Sequence, residues 1–372
     1  MRRRAAQSET ILVTGGSGYI GSHVVLALER DHRVIVLDRK PVPDAIRDRC
    51  RYEAADVRDR AALDRLFASE PIGGVVHLAG LKSVTESLAA PERYFDTNVR
   101  GTLELLSAMA AAGVRRFIFS SSAAVYGVPD ALPVTEEAPT RPENPYGESK
   151  LLVERMLPWF ERAHGITSIS LRYFNAAGAA EDGAVGEDWN HAANLIPLVM
   201  RAALGALPEV EVFGTDYPTP DGSAIRDYIH VVDLADAHVL GLHHLLDGGR
   251  SIIANLGTGS GASVLEVIGT VRRIGQVDVP VRLGARRAGD PPAVWADNVR
   301  AMEELGWRPR YGLEEIIETA WRWHSGARRP AGTGRSSRRD RSGSRRIRKS
   351  RSARRPGRPG RPAPASCCWA RS

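Results

Sequence analysis

Tyr146 and Lys150 stand four apart in the run Tyr146-Gly147-Glu148-Ser149-Lys150. Tyr-x-x-x-Lys puts a phenol and an ammonium on one face of a helix, one turn apart. A cation beside a phenol favours the phenolate and brings its pKa down from about 10. Tyr146 then becomes an acid/base usable near neutral pH. By itself the pair is an ordinary helical neighbour. Ser120-Ser121-Ser122, upstream at the end of a short apolar strand, changes that reading. Ser122 can hydrogen-bond the substrate hydroxyl that Tyr146 deprotonates.

A glycine loop, Thr14-Gly15-Gly16-Ser17-Gly18-Tyr19-Ile20-Gly21, lies between an apolar strand and an apolar-periodic helix. Gly15, Gly18 and Gly21 permit a tight turn and close approach to a pyrophosphate. The helix start adds N–H groups and a partial positive charge. Asp38 ends the next strand, where a carboxylate accepts from ribose hydroxyls and repels a 2′-phosphate. That favours NAD over NADP. Arg39 pulls the other way, since an arginine there could meet a phosphate. Glycine loop, serine and Tyr-x-x-x-Lys in this order predict a nicotinamide-dependent redox enzyme.

Those residues need a scaffold. Strands are expected at 10–14, 34–37, 75–78 and 117–119, separated by helices near 19–30, 59–69 and 92–112. Alternation of this kind predicts an α/β fold, a Rossmann-type doubly wound parallel sheet. Gly15, Asp38, Gly80 and Ser120 all fall at strand ends, where ligands of such sheets bind. From about 175 the alternation loosens, and a last helix is expected near 313–325. The expected division is a flexible 1–9, a nucleotide-binding 10–175 interwoven with later segments, a smaller α/β lobe at 176–326 over the substrate, and a tail from 327.

Composition bounds the rest. The 372 residues are 43% hydrophobic and 26% charged, the balance of a globular protein. Formal net charge is +7, but residues 327–372 hold 16 Lys/Arg against Asp340, which leaves residues 1–326 at −8. The Arg-rich tail is expected to be disordered. Two origins suit it: a tether for acidic surfaces or nucleic acid, or translation from a shifted frame of GC-rich codons. Nucleic acid is not the expected ligand of the folded part. Three cysteines, Cys50, Cys367 and Cys368, form no disulfide framework and no zinc spacing, so no metal is expected. No apolar run is long enough for a membrane span or a secretory segment, and the chain reads as cytoplasmic.

With these residues in hand, the sequence resembles the extended short-chain dehydrogenase/reductases, and within them the UDP-hexose 4-epimerases, over nearly all of residues 10–325. The resemblance is carried by Val13–His23, His77-Leu78-Ala79-Gly80-Leu81-Lys82, Phe117–Ser122, Leu171-Arg172-Tyr173-Phe174-Asn175, Arg226-Asp227-Tyr228-Ile229-His230-Val231, and Gly289-Asp290 before Trp295-Ala296-Asp297. It implies NAD-dependent C4 epimerisation of UDP-glucose and UDP-galactose through a 4-keto sugar, in a homodimer joined by helices near 92–112 and 148–163. It implies catalytic roles for Ser122, Tyr146 and Lys150. For NAD it implies Gly15, Gly18, Tyr19, Ile20, Gly21, Asp38, Asp56, Val57, Leu78, Ala79, Gly80, Lys82, Asn98, Ser120, Tyr173 and Phe174, beside Tyr146 and Lys150. For the UDP-sugar it implies Asn175, Asn194, Leu195, Phe213, Arg226, Tyr228, Arg287 and Asp290, with Lys82, Ser122 and Tyr146.

The departures carry information. The loop Arg39-Lys40-Pro41-Val42-Pro43 is shorter than is usual in that family. Ala124 replaces a customary hydroxyl residue. Val294 stands where some members carry a bulky tyrosine, so room for an N-acetyl group is expected. Sugar-nucleotide dehydratases place Asp-Glu just after the serine position, whereas Ala123-Ala124 here cannot transfer protons. UDP-pentose, UDP-uronate or UDP-N-acetylhexosamine epimerisation, decarboxylation and a non-catalytic NAD-binding role are the remaining alternatives.

Overall fold

The computed structural model describes residues 8–326 except 191, 193 and 288. The expectations for residues 1–7 and for the tail from 327 lie outside the described residues. The first half of the chain runs β1 (Thr10–Thr14), α1 (Tyr19–Leu28), β2 (Arg33–Asp38), β3 (Arg51–Ala54), α2 (Arg60–Ser69) and β4 (Gly74–His77). Next come α3 (Val84–Ala89), α4 (Pro91–Tyr94), a π-helical turn Phe95–Arg100, α5 (Gly101–Ala112), β5 (Arg116–Ser122), α6 (Pro145–His164) and β6 (Thr167–Tyr173). The second half holds β7 (Asn175–Ala177), α7 (Leu195–Ala203), β8 (Val210–Phe213), β9 (Ile225–Arg226), β10 (Tyr228–His230), α8 (Val231–Leu246) and β11 (Ile252–Leu256). It closes with β12 (Ala262–Ser263), α9 (Val264–Gly275), β13 (Val281–Gly284), β14 (Ala293–Val294), α10 (Val299–Leu305) and α11 (Leu313–Gly326).

Seven strands form one sheet in the order β11-β6-β5-β4-β1-β2-β3. Every pairing in it is parallel. β1 and β4 are buried along their whole length, as strands covered on both faces must be. One face buries Val24, Val25 and Leu28 of α1 with Leu234, Leu242 and Leu245 of α8. The other buries Leu63 and Leu66 of α2, Leu105 and Met109 of α5, and Val153 and Leu157 of α6. The doubly wound parallel sheet expected from the alternation is thus present. Strand order reverses between β1 and β4, and the crevice at such a reversal is where these sheets take ligands. A separate core of Val199, Met200, Val267, Ile268, Ile316 and Ile317 packs α7, α9 and α11 together.

The sheet also takes β3 and β6, which the expected strands omit, and two further features add to the reading. The π-helical turn interrupts the predicted 92–112 helix just where Asn98 must face the site. β11, from late in the chain, completes the sheet beside β6. Its burial pattern, Ile252 to Leu256, is too short and apolar to be told from a helix by periodicity.

Candidate active site

The glycine loop is shaped by close packing. Gly15 has φ +76° and donates its N–H to the Leu37 carbonyl at 2.9 Å. A Cβ on Gly15 would sit 2.6 Å from the Ala79 nitrogen, and one on Gly21 2.2 Å from the Gly15 oxygen. Only glycine lets α1 approach the ends of β1 and β4 this closely. Gly18 caps α1; no side chain satisfies that cap and the first turn holds no acid. The free N–H groups and the positive helix end suit an anion. Asp38 braces the loop: its carboxylate accepts from Ser17 N at 3.1 Å and Lys40 N at 3.0 Å. Arg39 lies 3.7 Å from the Asp56 carboxylate, itself forked by Arg58. The Arg39 guanidinium therefore already faces an anion of the chain. Val57 is buried. Tyr19 donates its hydroxyl to the Gly178 carbonyl at 2.6 Å, Ile20 packs on the core, and burial raises the Tyr19 phenol well above its ordinary pKa.

A buried polar chain supports the far wall. Leu78 N–H donates to Thr14 O at 2.9 Å, and Thr14 Oγ1 lies 2.6 Å from His77 Nδ1. His77 Nε2 meets Thr102 Oγ1 at 2.8 Å, which donates to Asn98 O at 2.5 Å. Burial, with Lys150 nearby, lowers His77 to about 3, so it stays neutral. Asn98 accepts from Leu81 N at 2.8 Å and donates to Ser149 Oγ at 3.0 Å. It thereby ties the Gly80 loop to α6, between Tyr146 and Lys150.

α6 begins where Asn144 accepts the Gly147 N–H at 2.9 Å, with Pro145 at its first position. That start aims Tyr146 and Lys150 at the end of β5. Lys150 Nζ donates to the Ser120 carbonyl at 2.8 Å and sits 4.9 Å from the Phe119 ring centre. It lies 5.9 Å from the Tyr146 ring centre. The Ser122 hydroxyl is bonded to the Tyr146 phenol, which favours the phenolate, but burial outweighs it and raises the Tyr146 pKa. Burial lowers Lys150 to about 8, with Glu154 pulling upward. The expected depression of Tyr146 by Lys150 is therefore corrected. The ammonium is aimed at a carbonyl and a ring face, and desolvation governs both groups. Ser120 Oγ also bonds His238 Nε2 at 2.9 Å. His238 Nδ1 meets Leu234 O at 2.7 Å, so Nδ1 carries the proton and Nε2 accepts. Tyr173, at the end of β6, lies tilted beside His238 with ring centres 6.3 Å apart, and Phe174 N–H donates to Leu256 O at 3.3 Å.

The residues that the resemblance assigns to the UDP-sugar include charged side chains that already have partners. Arg226 on β9 pairs with Asp290, and its Nη1 donates to Ile225 O at 2.6 Å. Arg287 lies flat over Phe213, its guanidinium carbon 3.8 Å from the ring centre. Lys82 donates to the buried Glu187 carboxylate at 2.9 Å. Asn175 starts β7 with its side chain exposed, paired with Tyr228, whose phenol burial raises. Asn194 caps α7 without using its side chain, and Leu195 begins the helix. Val294 pairs with Arg226 on the neighbouring strand and packs, as Phe174 does, against the cluster of Val125, Tyr126, Val134 and Leu151.

Residues 11–257 match the model of the NAD dependent epimerase/dehydratase family. This chain belongs to that family. A UDP-glucose 4-epimerase from Halalkalibacterium halodurans is 47% identical over 318 residues, 84% of this chain and 95% of that protein. The crystal structure of a Stenotrophomonas maltophila UDP-glucose-4-epimerase, with bound NAD and formylated UDP-arabinopyranose, superposes with a TM-score of 0.83 at 42% identity, covering 86% of this chain and 98% of that one. A Bifidobacterium longum UDP-glucose 4-epimerase in complex with NAD+ and UDP gives 0.80 at 42% identity, covering 85% and 98%.

For a member of the epimerase/dehydratase family, the sequence reading passed over several supporting side chains. His238, Ser149, Glu154, Arg172 and Glu187 are all buried or nearly so at the site. Arg172 carried a readable signal. A charge inside the largely buried strand Thr167–Tyr173 needs a buried partner, and Glu154, one turn after Lys150, is available. His238 and Glu187 had none, because their partners lie far away in sequence.

Proposed function

We propose that this protein interconverts UDP-glucose and UDP-galactose by NAD-dependent epimerisation at C4. The observation that carries the reading is the convergence of Ser122, Tyr146 and Lys150 at the end of β5, one strand over from the sheet's reversal, with Ala123-Ala124 offering no second acid/base beside them. A single proton taken and returned is all that epimerisation requires, whereas dehydration needs further proton donors. The glycine cradle, the uncapped start of α1 and Asp38 fit the diphosphate and ribose of NAD. NAD held there would supply a hydride acceptor for C4 and, in its oxidised form, a positive ring charge. That charge favours the Tyr146 phenolate, which burial otherwise opposes.

The chain's own residues do the rest. Ser122 orients O4 and favours the phenolate through its hydrogen bond, Tyr146 removes the proton and later returns it, and Lys150 holds the Ser120 carbonyl beside them. Arg226, Arg287 and Asp290 exchange their internal partners for the diphosphate and ribose, with Phe213 beside the base. Guanidinium forks suit such oxygens. Tight binding of UDP and a loose grip on the hexose let the 4-keto ring present either face. Residues 10–175 and 176–326 serve as the NAD and UDP-sugar portions. Exposed Val84, Leu88, Phe95, Leu103 and Trp159 on α3, the π turn, α5 and α6 form the surface of a homodimer. Among the described residues no helix is long and apolar enough to cross a membrane, which accords with a cytoplasmic enzyme.

The test is to purify the protein without added cofactor, assay it for NAD and incubate it with UDP-galactose. Appearance of UDP-glucose is expected, and its absence overturns the reading. With UDP-N-acetylglucosamine, turnover is also expected, because Val294 leaves space beside C2. Lack of any such turnover ends that part.

A further inference from the structure

Ser121 stands between the two serines that serve the site, and strand alternation turns it to the opposite face. Its hydroxyl donates to Glu154 Oε1 at 2.5 Å. Glu154 lies one turn beyond Lys150 on α6 and is 6% exposed. Arg172, 4% exposed on β6, clasps the same carboxylate, with Nη2 to Oε2 at 2.6 Å and Nε to Oε1 at 2.9 Å. Arg172 Nη1 also donates to the Tyr126 hydroxyl at 2.8 Å, which donates to Asn255 Oδ1 on β11 at 2.7 Å. One buried ion pair thus joins α6, β5, β6 and β11 beneath the catalytic groups.

Burying two charges is costly, and apolar residues of similar volume would hold α6 to the sheet as well. What the charged pair adds is a fixed field and a fixed register. Lys150 is faced by Tyr146 and Glu154 from α6, by the Ser120 carbonyl and Phe119 ring from β5, and by neutral His77 from β4. From β6, Tyr173 approaches Tyr146 and Ser120, and Arg172 partly neutralises Glu154. Of these groups, Glu154 is the acid. We propose that Glu154 and Arg172 are positioning residues for the epimerase reaction, setting the Ser122–Tyr146 spacing through Ser121 and the charge of Lys150 through the balance of the pair. The inference rests on the function proposed above. Glu154 favours the ammonium, and Arg172 tempers it, so the two halves act on Lys150 with opposite signs.

The experiment compares Glu154→Gln and Arg172→Gln in the NAD-loaded enzyme with UDP-galactose across pH, alongside melting curves and NAD content. Glu154→Gln is expected to lower kcat about tenfold at unchanged KM. It should also move the alkaline limb of kcat down by roughly one pH unit, while Arg172→Gln moves that limb up. A tyrosinate absorbance titration, referenced to Tyr146→Phe, should show the same opposite displacements without turnover. Lowered melting temperatures with an unmoved limb and an unmoved titration overturn the proposal. Should either variant fail to fold, Ser121→Ala removes one bond and no charge. A severalfold fall in kcat then supports the proposal and an unchanged kcat overturns it. A wild-type enzyme inactive on UDP-galactose refutes the proposed function instead, and the titration still decides the pair.

Discussion

The two sides of the crevice differ in what they are made of. Around the glycine loop and the ends of β1, β4 and β5, the walls are mostly backbone and buried neutral groups: Gly15, Gly18 and Gly21, the start of α1, and His77 and His238 held in one tautomer by their partners. On the side proposed for the UDP-sugar, long charged side chains hold one another or a ring: Arg226 on Asp290, Lys82 on Glu187 and Arg287 on Phe213. The first side is preorganised and has little freedom left. The second must break internal pairs to take a ligand, which suits a substrate that arrives, turns and leaves.

The sharpest break in that contrast is at the junction of the two sides. Tyr146→Phe should reduce kcat on the order of a thousandfold while bound NAD is retained. A chemical assay of the purified variant reads both, and substantial activity would refute the acid/base role.

Acid should act on the cofactor side next. Burial holds His23 at about 4, His77 at about 3 and His238 at about 4. Below about pH 6.5 the unfolded chain binds protons that these folded imidazoles refuse, so stability falls as pH drops from about 6.5 toward 4. Each group contributes a slope on the order of 1 kcal/mol per pH unit in that window. Melting curves across it, compared with a His238→Gln variant of shallower slope, check the sign and the source.

Gly21→Ala should cost roughly 3 kcal/mol and release NAD, because the added carbon meets the Gly15 carbonyl. Thermal unfolding and cofactor content measure this. Arg226→Gln should leave stability and NAD content near the parent's and raise the KM for UDP-galactose roughly tenfold. If Arg226→Gln instead releases NAD, the division between the sides fails.

Legibility in the sequence follows the same division. Glycine spacing, Asp38, the serine run and Tyr-x-x-x-Lys are local, and each carries its own geometric demand. β1, α1, β2, β4 and β5 could be placed for the same reason, since an apolar period and a glycine or serine at its end lie within one short stretch. The pairs on the sugar side join residues up to 105 positions apart, as Lys82 and Glu187 do, and no local pattern encodes them. Their partners became visible only once the fold had brought them together.

For Tyr146 and Lys150 the boundary is sharpest. By itself the sequence determined that a phenol and an ammonium share one helix face, because helical geometry follows from spacing. Only the tertiary structure decided which way their pKa values move. It placed Lys150 against the Ser120 carbonyl, buried the phenol and set Glu154 and Arg172 beneath them. Desolvation depends on every neighbour that excludes water, and those neighbours come from β4, β5, β6 and β11 together.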